Sequence, residues 1–380
     1  MASEIKWIRL GEFIENHEVA CGNPNAIVSG VNIYKEFIRS RANLTGTDVS
    51  KYTAVKPRYF AANLMHIGRD ERIPIAYNNT DEDIVVTSAY SVFRVKEDKH
   101  NEILDDYIFL FFNSKEIDRL TWFYTDSSVR GNLRESRLMD VQIPVPYTDG
   151  KPDLKKQQVV VDAWQGLRKM KEDNEQLVEP LMQLCRSYME DVKKKYNPTH
   201  IGPFIEPVDE RNTDGKYKDD SVVGLATSKE IIKTKANLEG VNLTSYKIFR
   251  PNVIAYVADT SRRGDKVSLA MNKTDETYLV SSISTVFRTK KGLLPGFLYL
   301  WFRRPEFDRY ARFHSWGSAR EAFDYDKMEN VKIPIPSTQE QQAIIDIYKC
   351  AERAKRIAEE ADRLSREICP ALMQHIIHEN

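Results

Sequence analysis

Two short strings carry the side chains best suited to binding chemistry. "SSVRGNLRESR" spans 127–137 and "GSAREAFDYDK" spans 317–327. Each sets a serine two residues before an arginine: Ser128 with Arg130, and Ser318 with Arg320. A hydroxyl donates to a phosphate oxygen, and a guanidinium grips a phosphate or a guanine edge through two N–H bonds. The alternative for Arg130 and Arg320 is an ion pair with an acid such as Asp118 or Asp308. "GRDERI" at 68–73 and "RRGDKV" at 262–267 read as hairpin tips carrying Arg69 and Arg263, for nucleic-acid contact or as solvated turns. Lys35 and Lys229, with Arg39, Arg41, Lys233 and Lys235, make a second basic set that suits phosphate or a solvated face.

Catalytic patterns are missing. There is no phosphate-binding G-x-x-x-x-G-K-[ST] loop, no H-E-x-x-H and no G-x-S-x-G. The strings nearest to a methyl-transfer N-P-P-[YF] site, "GNPNA" and "YNPTH", lack its aromatic residue. The seven histidines do not recur between the halves of the sequence, so no duplicated metal or catalytic site is expected. His375 and His378 read as part of a helical tail.

The elements that must position these side chains occur twice. With an offset of 194, residues 28–96 match 222–290 without a gap and share 24 identities. Ala42-Asn43-Leu44, Gly46, Tyr52 and Pro57 all return in the second copy. At an offset of 190, "EIDR" at 116–119 faces "EFDR" at 306–309, and "VQIPVP" faces "VKIPIP". A period this long is a duplicated domain, not a solenoid repeat. Asn43/Asn237 and Gly46/Gly240 read as a turn, Tyr52/Tyr246 with "YSVF" and "STVF" as core, and Arg94/Arg288 remain unassigned. β-branched runs such as "NAIVSGV", "DIVVTSAYSVFRV" and "NVIAYVA" read as strands. "DYIFLFFNSKEIDRLTWFY" and "GFLYLWFRRPEFDRYARF" each read as an amphipathic helix.

After each α/β part comes a long helical pattern, 154–196 and 337–379, each roughly 60 Å at 1.5 Å per residue. Apolar or small residues at spacings of three and four predict a partner-helix seam. It includes Val161, Trp164, Leu177 and Leu184 on one helix, and Ile345, Tyr348, Ile368 and Leu372 on the other. Pro180 and Pro370 are expected to kink or end their helices locally. The fold class is therefore α/β (α+β). Two similar mixed-sheet domains alternate with two long helices paired as an antiparallel coiled coil, with internal pseudo-two-fold symmetry. The boundaries are 1–150 for the first domain, 151–199 for the first helix, 200–337 for the second domain and 338–380 for the second helix.

Composition sets limits. Net charge is zero, with 41% hydrophobic and 29% charged residues. Residues 1–150 hold 18 basic against 22 acidic side chains, and 200–337 hold 22 against 18. Any affinity for nucleic acid must come from local patches or a basic partner. The start "MASEIKWIRLGEF" has no secretory pattern, and four scattered cysteines suit a reducing compartment, so a cytoplasmic location is expected.

The layout resembles the DNA-specificity (S) subunit of type I restriction-modification systems, over essentially the whole sequence. "WIRLGEFIE" at 7–15 and "HIGPFIEPVDERN" at 200–212 look like the openings of its two target-recognition domains. "IPVP" before "KKQQ", and "IPIPSTQEQQ", look like its passage from recognition domain to helix. The resemblance implies a non-catalytic DNA-binding subunit whose domains each read one half of a bipartite, asymmetric target. It implies that the helices set the unread spacer and dock two methyltransferase (modification) subunits, which modify adenine N6, and that translocase/nuclease restriction subunits join them. No cofactor is expected in this protein; S-adenosylmethionine, ATP and Mg belong to those partners. The competing reading is a helical scaffold that bridges protein partners without reading DNA sequence.

Overall fold

The computed structural model describes residues 3–65, 67–126, 131–259, 266–316 and 321–378; for residues 3 and 368–378 it describes the backbone alone. The protein divides into two compact units, 1–174 with 356–380, and 175–355.

In the first unit the order of one antiparallel sheet is Ile14–Asn16, Ser91–Val95, Phe60–Ala62, Ile75–Tyr77. Side chains alternate across a strand. Phe60 and Ala62 therefore enter a large core with Phe13, Phe93, Phe112 and Trp164, while Ala61 faces a smaller one with Val55, Val86 and Val92. The second unit repeats this with Ile205–Pro207, Ser284–Thr289, Ile254–Val257 and Leu269–Met271. Register is kept as well: Phe60 pairs with Phe93, and Ile254 with Phe287. The other strands are antiparallel except at one place per unit. Val28 pairs with Val85 in parallel, and Val222 bridges Leu279 in parallel, so the sheets are mixed in both copies.

The duplicated "ANL" string is a turn, as its composition suggests. Asn43 Oδ1 accepts from the Thr45 amide and Asn237 Oδ1 from the Glu239 amide. Gly46 and Gly240 sit at φ +77° and +71°, where a Cβ is unfavourable. The Gln-Gln motif also has a structural explanation. Gln157 and Gln341 are fully buried at the start of the long helices. Each caps an amide, of Leu104 or Leu294, just before the next-packed helix.

Several expectations need correction. "DIVVTSAYSVFRV" is two strands, Ile84–Val86 and Ser91–Val95, with a turn between them. Each amphipathic run is two helices, Asp105–Phe112 with Lys115–Phe123, and Pro295–Phe302 with Pro305–Phe313. Ser114 caps the second member of the first pair, and Pro305, which lacks an N–H, opens its counterpart. Pro180 does not end its helix, which runs from Leu154 to Lys195. Gln176 and Pro180 are both exposed, so the carbonyl deprived of its bond can turn to water. The second helix runs from Thr338 to His378, with its backbone continuous through Pro370.

The two long helices pair antiparallel. In the second unit Lys195 meets Glu340 and Cys185 meets Ile344; in the first, Lys171 meets Asp362 at 2.9 Å. The seam is one position away from the expected one along part of the first helix. Leu177 and Leu184 are exposed, while Cys185 and Met189 are buried; Val192, three residues further on, is buried in register with the expected seam. Val161 and Trp164 are buried in the core of the first unit, Ile345 and Tyr348 in that of the second. The second helix buries Ala351, Ala354, Ala358, Ala361 and Ser365, a run spaced by three and four. Ile368 and Leu372 lie outside the described side chains.

Candidate nucleic-acid interface

The Ser-x-Arg segments, with Ser128, Arg130, Ser318 and Arg320, fall outside the described residues, as does Arg263. The backbone around them is described, and two of its bonds recur in both units. In the first, the Asp126 amide donates to Asn132 O at 2.9 Å, closing the base of 127–131. In the second, the equivalent Trp316 amide donates to Ala322 O at 3.2 Å. One residue further on, the Leu133 amide donates to Leu64 O, and the Phe323 amide to Ala258 O, each at 2.8 Å. Leu64 and Ala258 lead directly into the segments that carry Arg69 and Arg263. Both arginine-bearing segments of a unit therefore spring from one stapled edge. In the first unit they touch: Gly68 N donates to Gly131 O at 3.1 Å, and a Cβ on Gly131 would lie 2.3 Å from Gly68 Cα. Only glycine fits there.

Lys35 and Lys229 do not belong to a basic surface. Arg39, Arg41, Lys233 and Lys235 are exposed around them, but these two are buried. Lys35 Nζ donates to Ile73 O at 2.9 Å and to Asp118 Oδ1 at 2.7 Å. Lys229 Nζ donates to Val267 O at 2.7 Å and to Asp308 Oδ1 at 2.5 Å. The same carboxylates accept from the Ile73 and Val267 amides, at 3.2 and 2.9 Å. Burial costs the Lys229 ammonium more than Asp308 returns, and its pKa falls below the ordinary value. The acids that the sequence offers to Arg130 and Arg320 are thus engaged by lysine. Both lysines hold a left-handed backbone, φ 66° and 69°. That conformation turns the side chain inward, and spacing along the sequence gives no hint of it.

Arg69 is exposed on the helical turn Ile67–Asp70, bound side-on to Asp70 at 2.8 and 2.9 Å. Sequence reasoning missed Phe123 and Phe313. Each ends its helix just before the Ser-x-Arg segment, and they are 79% and 80% exposed. Their recurrence at the same offset, off the apolar stripe of the helix, was the available signal. Around this constant frame the side chains differ: Trp122 against Arg312, Asp126 against Trp316, Arg134 against Asp324. Hydrogen-bonding groups, charge and shape all change while the two stapling bonds do not. Among the described residues no group of three or more His, Cys, Asp or Glu is placed to hold a metal, and no helix is long and apolar enough to cross a membrane.

Residues 192–361 match the model of the type I restriction modification DNA specificity domain. This protein therefore contains a type I restriction-modification specificity domain. Identity along the sequence and the repeated staples make the first half a second copy of it. The specificity-subunit family is non-catalytic in itself. Among solved structures, the type I S subunit from M. genitalium is similar at 10% identity and a TM-score of 0.62, over 99% of this protein and 97% of that one. The HsdS subunit from Thermoanaerobacter tengcongensis has 13% identity and a TM-score of 0.41, over 99% and 97%. A structure titled for complex assembly and conformational transition of the type I R-M system has 13% and 0.40, over 99% and 98%. No curated protein sequence matches this one.

Proposed function

We propose that this protein is the DNA-reading subunit of a type I restriction-modification complex, with each specificity domain reading one half of a bipartite, asymmetric target. The observation that carries this reading is the stapled edge: one backbone frame, built twice, with different side chains on it. A reader of two unlike half-sites needs that combination, whereas a scaffold has no use for diverged tips on a retained frame. Base edges would be read by groups at that edge, with phosphate contacts fixing register. The paired helices would set the unread spacing and dock methyltransferase subunits, with restriction subunits joining the assembly. Catalysis, with S-adenosylmethionine, ATP and Mg, would belong to those cytoplasmic partners. Their phosphate contacts would compensate for the neutral charge of this subunit.

The test is selection from a random-sequence duplex pool by the protein in complex with its methyltransferase subunits. The expected result is a split motif with a fixed gap and unlike halves. A single continuous motif, or no sequence preference, defeats the proposal, and the second outcome favours a scaffold.

A further inference from the structure

The buried lysines are absent from any reading surface, yet both copies keep them in matching geometry. Outside a few motifs the copies have diverged widely, so matched atoms in a costly arrangement call for an explanation. Burying an ion pair costs several kcal/mol of desolvation, and apolar replacements of similar volume are often as stable. Stability alone does not account for a buried lysine–aspartate pair that recurs in both halves.

Its position supplies a reason. Each arginine-bearing segment has two ends. One is stapled through Leu64 O or Ala258 O. The other, at Ile73 or Val267, has both its N–H and its C=O taken by the pair: the carboxylate accepts from the amide and the ammonium donates to the carbonyl. The carboxylate stands on the helix Lys115–Phe123 or Pro305–Phe313, whose far end leads into the Ser-x-Arg segment. The lysine therefore ties three elements at one point, with directional bonds that an apolar contact lacks.

We propose that Lys35 and Lys229 are positioning residues for base reading, each fixing the arginine-bearing segment of its own half relative to the helix beside it. The lysine touches no DNA; it acts through the segment it clasps. This rests on the protein being a DNA reader, as proposed above.

The test uses the paired variants Lys229→Met/Asp308→Leu and Lys35→Met/Asp118→Leu, in complex with the methyltransferase subunits. Replacing both partners avoids a lone buried charge. Phe297→Leu, a buried change away from the clasp, serves as the control for general destabilisation. Melting temperature, affinity for the wild-type consensus and base preference at each position of a random duplex pool are measured. The Lys229 pair is expected to relax preference about tenfold at one half-site, with the other half-site and the gap unchanged, and the Lys35 pair to do the reverse. The control lowers the melting temperature and leaves base preference intact. A folded pair variant that keeps full preference at both half-sites overturns the inference, as does equal relaxation at both. If the wild-type complex itself shows no split motif, the DNA-reading proposal fails, and this inference fails with it.

Discussion

The contact between globular part and long helix is made at equivalent positions in the two units, but with opposite chemistry. In the first, Phe109 meets Trp164 edge-on at 5.6 Å, Tyr77 packs on Phe109, and Arg168 lies over the indole. In the second, the same slots hold Tyr299, Tyr348 and Glu352. Tyr348 donates to Glu352, Lys273 bonds Glu352 at 3.0 Å and lies over both tyrosine rings, and Arg303 pairs with Glu230. Tyr299 also donates to Lys229 O at 2.6 Å, which links this network to the buried clasp. The buried Gln157 and Gln341 thus fix where each helix docks, while the neighbouring side chains make the joint mainly aromatic in the first unit, with one Gln165–Asp106 bond, and ionic in the second. An apolar joint is strong and indifferent to salt. An ionic one is directional and weakens as salt rises.

The largest way to break the comparison is Trp164→Ala. It empties a buried slot and is expected to cost about 3–5 kcal/mol. Denaturant unfolding should show that loss equally in low and high salt; a strong salt dependence would mean the first joint is not apolar. Arg303→Met should cost less, about 1–3 kcal/mol, because the guanidinium is partly exposed. Here the loss should shrink in high salt, and a loss that does not shrink would remove the distinction between the joints.

The smallest effect is a pH signature at the start of the second long helix. Lys195, Tyr196 and Ser337 hold Glu340 down at about 2, against an ordinary value of 4.5. A lowered carboxylate stabilises the fold above pH 4.5 and loses that contribution as pH falls toward 2. Glu340→Gln should therefore lower the melting temperature by a constant amount above about pH 5, and the gap should close on acidification. At the equivalent position the first unit has Lys156; the lowered carboxylate at the start of its helix is instead Asp153, held by the Thr148 hydroxyl and the amides of Lys155 and Lys156. A gap that persists at pH 2 would show that the carboxylate is not the cause.

The duplication, the strand-like runs and the two long helices were legible in the sequence because identity and period report backbone layout directly; the order of the strands in the sheets was not. The break at Asn113–Ser114 was not, since apolar periodicity runs across it and only the serine cap separates the two helices. The seam of the long helix slipped for a similar reason. Leu177 and Leu184 satisfy a heptad, but Cys185 and Met189, one step around, point inward. Lys35 and Lys229 were misjudged because a lysine reads as surface unless its backbone is known to turn it inside. Asp118 and Asp308, read as ion-pair acids, pair with these lysines; Arg130 and Arg320 lie outside the described residues.

The staple at Asp126–Asn132 and at Trp316–Ala322 is made by a backbone amide and a backbone carbonyl. Such a closure demands nothing of the residues inside it except at Gly131, which packs on Gly68 and admits no Cβ. What else lies between the two posts can be exchanged without redrawing the domain, much as a key blank accepts any cut beyond its shoulder. A segment moved from the second copy, which has Glu321 at that place, would fit the first frame only with the glycine restored.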